Sequence, residues 1–274
     1  MLAYSKLFKG AFFSIYCLSG LLSVWTNQAS AYTYVNTDST VSASNLLINP
    51  QNGGSVMYSS DPQYLDVQSW AMAQNSLGEF QADPKSQNAF TNLTSDAAVT
   101  WVNYAHGESL WSTASVAAKS NVEIPPHEKM RWAYGEGRGS LGQWFQITNP
   151  TIPSITTPTS FSLSYTGSLY GRADDDSYFK TEIIVGLQLF DTNGIQLIGK
   201  TFDQILQGGP NQVLGPVTVN GTLSDTVTLD YDAWYYAYFE ADSETRGEVP
   251  ESPTLLLIIP SLALLARRYK RCAC

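Results

Sequence analysis

The central part of the chain lacks cysteine and contains little histidine. The three cysteines among the 274 residues are Cys17, Cys272 and Cys274, close to the two ends. Residues 32–248 therefore have no internal disulfide, no Cys-x-x-Cys metal site and no thiol nucleophile. The imidazoles of the chain are those of His106 and His127 alone, which limits histidine-based catalysis and metal binding.

Positive charge is also scarce in this central part, which we call the body (residues 32–248). The body holds 23 of the 24 acidic residues and nine of the 15 basic residues, a formal charge of about −14. A surface of this sign repels phosphate groups, so the composition argues against DNA or RNA as a partner. The excess of negative charge is otherwise typical of a soluble protein.

Catalytic motifs are missing from the body. It has no G-x-S-x-G nucleophile elbow, and His106-Gly107-Glu108 lacks the Pro-Cys-x-x-Cys partner of the zinc deaminases. Two of the many acidic residues could serve glycoside hydrolysis, but no motif places them. We therefore expect no enzyme activity and no cofactor, with an exported glycan hydrolase or lyase as the alternative.

The first 31 residues have the three parts of a secretory signal peptide. Lys6 and Lys9 form the positive region, residues 11–25 form the apolar run, and Ala29 and Ala31 are the small residues before the cleavage point. Cleavage by signal peptidase after Ala31 would start the mature chain at residue 32. The alternative is an uncleaved N-terminal anchor helix.

The last residues form a second apolar segment with a basic end. Residues 254–266 are apolar apart from an interrupting proline and a few small polar residues, and arginines follow. As a helix, this run would span roughly 20 Å, which is short of the ~30 Å hydrocarbon layer of a membrane. The arginines favour a cytoplasmic end for such a segment, so an ordinary tail anchor is one explanation.

The segment from residue 249 to residue 274 also resembles the PEP-CTERM sorting signal of Gram-negative bacteria. That signal joins a Val-Pro-Glu-Pro-type motif to a short apolar helix and terminal arginines. The matching residues are Val249, Pro250, Glu251, Arg267 and Arg268. The chain departs from the family where serine precedes proline at positions 252 and 253, and where a proline interrupts the apolar run.

The resemblance implies a route for the protein. An exosortase-type membrane protease would recognise Pro250-Glu251, cut nearby and release or transfer a protein that had been transiently inserted in the inner membrane. The destination implied is the cell envelope, the cell surface or the extracellular matrix.

The body has the alternating hydrophobicity of β-strands almost throughout. Residues 183–189 alternate, and Asn193-Gly194 after them predicts a tight hairpin turn. Asn220-Gly221 predicts a second hairpin. Residues 234–241 are aromatic on both faces, which is typical of a central strand. We predict an all-β body, a β-sandwich of jelly-roll type.

Three features of the body allow more than one interpretation. Residues 66–77 fit either a strand or one short helix. Residues 149–160 are rich in proline, serine and threonine and are predicted to be a loop within one sandwich, or a linker between two domains. The stretches that begin at Trp70 and Trp132 share the order Trp-Ala, Ser-Leu-Gly and Phe-Gln, which fits either a repeated unit or a chance similarity.

Two groups of residues are candidates for ligand binding. Trp132, Tyr134 and Trp144 surround the glycine-rich stretch YGEGRGSLG, where backbone could approach a ligand, although core packing is the alternative role for such aromatic residues. Asp174 and Asp176 supply the hard oxygen ligands that calcium prefers, but without the spacing of an EF-hand. Solvated loop charge is their alternative role.

These observations predict an exported, C-terminally sorted protein of the cell surface or matrix. Its body would be structural, adhesive or carbohydrate-binding, with extracellular polysaccharide as the partner in the last case. A further interpretation makes the body a carrier of surface glycosylation on its serine- and threonine-rich segments.

Overall fold

The computed structural model describes residues 33–59, 64–87, 92–99, 102–112, 115–127, 130–148 and 155–250. These residues form strands joined by turns and contain no helix. The strands are β1 (Thr33–Pro50), β2 (Ser55–Tyr58), β3 (Tyr64–Asn75), β4 (Phe80–Gln87), β5 (Leu93–Val99), β6 (Val102–Ser112), β7 (Ser115–His127), β8 (Arg131–Thr148), β9 (Thr156–Ala173), β10 (Tyr178–Asp191), β11 (Gln196–Gly208), β12 (Gln212–Asp230) and β13 (Trp234–Val249).

The strands form two antiparallel sheets. The first sheet has the order β12-β9-β1-β7-β6-β5. The second has the order β11-β10-β13-β8-β3-β4, and the short β2 also pairs with β8. The two sheets face each other and enclose the core, which confirms the prediction of an all-β, sandwich-like body.

Large and small side chains fill different parts of the core. Phe145, Phe161 and Leu189 belong to a cluster of large apolar residues in which β8, β10 and β13 pack on β1 and β9. Alanines make up half of a second cluster to which β3, β5 and β6 contribute, among them Ala71 and Ala105. The sheets can therefore come closer together in the second region, because little side-chain volume separates them.

Glycines mark the closest approach of the two sheets. A β-carbon at Gly107 on β6 would lie 1.9 Å from the carbonyl oxygen of Glu136, and one at Gly137 on β8 would lie 2.0 Å from that of Glu108. The glycine-rich stretch of β8 thus faces the backbone of the first sheet. Only residues without a side chain allow this contact between backbones.

A cluster of three buried serines joins the sheets near the middle of the core. The hydroxyls of Ser39 on β1 and Ser120 on β7 are 2.9 Å apart, and Ser243 on β13 lies 2.6 Å from Ser39 and 2.9 Å from Ser120. All three side chains are fully buried. Each hydroxyl has partners within the cluster, so it can be removed from water at little cost.

The tight hairpin at Asn193-Gly194 is confirmed. Gly194 has a φ of 77° and its amide donates to the carbonyl of Asp191, which closes the turn between β10 and β11. The central position of residues 234–241 is also confirmed, because β13 lies between β10 and β8.

The prediction of a hairpin turn at Asn220-Gly221 is wrong. Both residues lie within β12, which pairs with β9 over almost its whole length. The turn-forming pair stays extended because Gly221 leaves room for the ring of Tyr165, whose hydroxyl would lie 2.5 Å from a β-carbon there. Tertiary packing decides the conformation here, and not the local preference of the dipeptide.

The alternative for residues 66–77 is settled, whereas the choice between a loop and a linker for residues 149–160 stays a prediction. Residues 66–75 are part of strand β3, so the short helix does not form. Residues 156–160 begin β9, while positions 149–154 of the predicted loop lie outside the described residues. The two stretches proposed as a repeat occupy different positions: Ser76-Leu77-Gly78 lies in the turn after β3, whereas Ser140-Leu141-Gly142 lies within β8.

The start of β1 and the end of β13 lie at the same end of the body. A β-carbon at Gly247 would come within 2.9 Å of Cγ1 of Val35. Val249 ends β13, pairs with Arg131 and is only 2% exposed. The predicted signal peptide with Ala29 and Ala31, and the predicted sorting residues from Glu251 to Arg268, lie outside the described residues. Within the described part of the chain, no helix is long and apolar enough to span a membrane.

Candidate functional site

The outer face of the second sheet carries a row of aromatic side chains. Alternate residues of a strand point to the same face, and on β13 the outward positions include Trp234, Tyr236 and Tyr238. Tyr236 is paired with Phe190 on β10 and with Trp144 on β8. Strand register therefore places three aromatic residues side by side across the middle of the sheet.

A shallow groove of about 430 Å³ lies beside this row. We call it the aromatic groove, and its lining residues are Arg138, Gln188, Phe190, Tyr236, Tyr238 and Glu240. The rings of Trp144 and Tyr236 have centroids 5.2 Å apart and planes tilted by 49°. Trp144 is 39% exposed, so one edge of the groove offers an indole to solvent.

Two glycines shape the groove. A β-carbon at Gly142 on β8 would lie 1.7 Å from the hydroxyl oxygen of Tyr236, so the phenol ring lies over this glycine. A β-carbon at Gly186 on β10 would lie 2.9 Å from Oε1 of Glu240. The side chains of Tyr236 and Glu240 on β13 can therefore lie across the neighbouring strands, β8 and β10 respectively, because each strand has a glycine at that position.

Polar groups close one end of the groove. Nη2 of Arg138 donates to Oε2 of Glu240 at 2.6 Å, and the hydroxyl of Tyr238 donates to the same oxygen at 3.0 Å. Burial raises the pKa of Tyr238, so its hydroxyl stays protonated and keeps donating. These contacts fix the orientation of a cation, a carboxylate and a hydroxyl next to the aromatic row.

Beyond Glu240 the outer face becomes acidic. Glu182 on β10, Glu244 on β13 and Glu136 on β8 are direct neighbours across the strands. Carboxylates directly opposite each other repel. Burial, reinforced by neighbouring carboxylates, raises the pKa of Glu244, and it raises that of Asp242 to about 7.

The residues predicted to bind a ligand are only partly brought together. Trp144 lies at the edge of the aromatic groove. Trp132 and Tyr134 lie on the same outer face, but ten or more residues away along β8, which is roughly 33 Å or more at ~3.3 Å per residue. The indole of Trp132 donates to Oε1 of Gln74 at 2.7 Å, and the hydroxyl of Tyr134 donates to Glu136.

The aspartates considered for calcium lie in the turn between β9 and β10. Both side-chain oxygens of Asp174 accept hydrogen bonds from Arg172, at 3.0 and 3.2 Å. Asp176 has a φ of 53° and belongs to the turn itself. No group of three or more potential metal-binding side chains converges within the described ranges. His106 lies outside this turn, on β6, with Nδ1 2.8 Å from Oδ1 of Asp96.

Pairs of serine and threonine side chains lie on the outer face of the first sheet. The hydroxyls of Thr40 and Ser168 are 3.0 Å apart, as are those of Ser42 and Thr166. The adjacent strand β12 presents further hydroxyls outward. These hydroxyls are thus on the face opposite the aromatic groove.

Comparison with known proteins adds no family to this description. The chain matches no protein-family model and no curated protein.

Most of the groove could not be identified from sequence. Alternation along residues 234–241 placed Tyr236 and Tyr238 on one face of a strand, but gave no information about its neighbours. The contributions of Phe190, Gln188 and Arg138 depend on which strands pair and in which register. That pairing is a long-range property of the fold.

Proposed function

We propose that the protein is an exported, non-enzymatic component of the cell surface or matrix whose body binds polysaccharide through the aromatic groove. The observation that carries the proposal is the row formed by Phe190, Tyr236 and Trp144 on an outward sheet face, with the Arg138–Glu240 pair beside it.

The composition of the groove suits a sugar polymer. Aromatic rings offer apolar area at low conformational cost, and the apolar faces of pyranose rings can pack against them. The oriented polar groups of Arg138, Gln188 and Glu240 can exchange hydrogen bonds with sugar hydroxyls. A groove that is open along the sheet accepts an extended chain, whereas an enclosed pocket would select a small molecule.

Sedimentation with insoluble polysaccharides tests the binding. The purified protein is mixed with cellulose, xylan, chitin and partly deacetylated chitin, and the fraction left in solution is measured. We expect retention on at least one polymer, and loss of that retention in Trp144→Ala. Trp70→Ala is the matched control, because Trp70 is 44% exposed on the same face but lies on β3 away from the groove.

The proposed route through the envelope is supported by the arrangement of the ends. The start of β1 and the end of β13 lie at one end of the body, so two membrane segments could leave it on the same side. A cut after Val249 or Pro250 would leave β13 whole. The intact mass of protein recovered from its host tests this: loss of residues 1–31 and of the segment after Pro250 supports sorting, and a full-length C-terminus contradicts it.

The alternative of a glycan hydrolase is less well supported. The described lining of the groove contains one carboxylate, Glu240, and this is ion-paired with Arg138. Hydrolysis of glycosides requires two carboxylates on either side of the scissile bond, one of them free to carry a proton. Release of reducing sugar from any polymer that the protein binds would favour the enzyme.

The jelly-roll assignment remains part of this proposal. It is supported by the connections β7–β8, β8–β9, β9–β10, β11–β12 and β12–β13, each of which passes from one sheet to the other. Repeated crossing between two antiparallel sheets is typical of jelly rolls.

A further inference from the structure

We propose that the aromatic groove selects a glycan that carries protonated amines, such as a deacetylated amino-sugar polymer, over its neutral counterpart. The inference rests on the proposed function above and specifies the class of glycan. Its basis is the charge of the sheet surface onto which the groove opens.

The groove continues into the acidic surface along β13. Glu240 ends the groove, and the next outward residues of the same strand are Asp242 and Glu244. Outward neighbours on one strand are ~7 Å apart, so Glu244 lies roughly 13 Å beyond Glu240. A polymer that stacks on Tyr236 and follows the strand crosses the largely buried Asp242 and then passes over the carboxylate of Glu244.

Carboxylates outnumber cations on this part of the face. At a mildly acidic pH the acids of this surface are Glu136, Glu182, Asp203, Glu240 and Glu244, and the bases are Arg138, Lys180 and Arg246. Asp242 adds no charge there, because burial raises its pKa to about 7. Nη2 of Arg246 lies 3.2 Å from Glu248, farther along the strand. Among the described residues, no lysine or arginine lies within salt-bridge distance of Glu136, Asp203 or Asp242.

The arrangement fits an extended cationic partner better than a bound metal ion. The carboxylates are spread along β13 and over its neighbours β8, β10 and β11, and the described residues hold no converging group of metal ligands. A row of like charges lowers its repulsion when a chain of opposite charge lies across it. An acidic polysaccharide would add to that repulsion, and a neutral one would leave it unchanged.

Calorimetric titration with two hexamers of the same backbone tests the inference. The probes are the hexamer of β-1,4-linked glucosamine and the hexamer of N-acetylglucosamine, at a mildly acidic pH and low salt. We expect the amine-bearing hexamer to bind at least about tenfold more tightly, and the difference to shrink at high salt. Equal affinity, or tighter binding of the acetylated hexamer, overturns the inference and leaves the proposed function standing.

Charge variants locate the effect. Glu136→Gln/Glu244→Gln should remove most of the preference while the acetylated hexamer binds as before. Asp225→Asn/Glu123→Gln is the control, because it changes the net charge equally on the first sheet and should keep the preference. If the control loses the preference to the same extent, the selectivity is due to net charge and the inference is wrong.

A tryptophan variant separates the two proposals. Trp144→Ala should weaken binding of both hexamers. If it leaves the amine-bearing hexamer bound as tightly, the carboxylates alone hold that hexamer and the groove is not the site. If neither hexamer binds and no polymer retains the protein in sedimentation, the proposed function itself fails.

Discussion

The phenol ring of Tyr236 lies over Gly142 of the neighbouring strand, where a β-carbon would come within 1.7 Å of the hydroxyl oxygen. The contact joins β13 to β8 at the point where the aromatic row meets the polar end of the groove. Gly142 therefore contributes to the shape of the candidate binding site because it lacks a side chain, and not because of an unusual backbone conformation.

Gly142→Ala should change the groove more than it changes stability. The added methyl group meets the far end of a surface side chain, which can rotate away, so the free energy of unfolding should fall by no more than about 1 kcal/mol. The displaced Tyr236 ring should weaken retention on polysaccharide. Urea unfolding and sedimentation measure the two effects, and unchanged binding with a displaced ring would show that Tyr236 takes no part.

Gly137→Ala should destabilise the fold severely. The methyl group would meet the carbonyl oxygen of Glu108 at 2.0 Å, and neither strand can move away without separating the sheets. We expect a loss of ~3 kcal/mol or more in the free energy of unfolding. Gly139→Ala on the same strand is the control, since its nearest neighbour is Cβ of Val116 at 3.2 Å and the loss should be smaller. Equal losses would contradict the close approach of the sheets.

Asp242 should make the protein less stable as the pH rises. Burial, with help from Glu136, raises the pKa of Asp242 to about 7, whereas the unfolded value is ~3.9. Between these two values the unfolded chain binds fewer protons than the folded one, so the free energy of unfolding falls with increasing pH. At ~1.4 kcal/mol per pKa unit, the full loss is on the order of 4 kcal/mol.

Asp242→Asn removes this dependence, so it should be more stable than the wild type at pH 8 and similar to it at pH 4. Asp225 is a control of opposite sign. A hydrogen bond from the amide of Thr226 lowers the pKa of Asp225, so its contribution is lost only as the pH falls below ~3.9, and Asp225→Asn should be less stable than the wild type at both pH 8 and pH 4. Urea unfolding at the two pH values measures both, and a less stable Asp242→Asn at pH 8 would contradict the account.

The buried serine cluster should tolerate deletion better than enlargement. In Ser243→Ala, the hydroxyls of Ser39 and Ser120 still bond to each other at 2.9 Å, so a loss of ~1 kcal/mol is expected. In Ser243→Val, the added volume has no space between the sheets and the loss should be larger. Thermal unfolding of both variants tests this order, and a more stable valine variant would show that the core has unfilled space.

Local sequence patterns predicted where the strands lie better than which strands pair with each other. The alternation around Ile183 and the turn at Asn193-Gly194 identified β10, β11 and the hairpin between them. The same reasoning misplaced a turn at Asn220-Gly221, because the pairing of β12 with β9 overrides the preference of that dipeptide.

The candidate site shows the same limit. Of the three residues predicted from the sequence, only Trp144 lies at the groove, because Trp132 and Tyr134 are separated from it by the length of an extended strand. The glycines between them were interpreted as a place where backbone meets ligand. In the structure, Gly135 and Gly137 meet the backbone of the facing sheet. Sequence spacing alone does not show whether a glycine in a strand faces the opposite sheet or the outer surface.

The most direct test of the central claim is the position of a bound oligosaccharide. It can be determined in crystals grown with the polymer fragment that binds. The account predicts a sugar ring stacked on Trp144 or Tyr236, with hydroxyls in contact with Gln188 or the Arg138–Glu240 pair. An oligosaccharide bound to the first sheet, or to another part of the body with the aromatic groove empty, would contradict it.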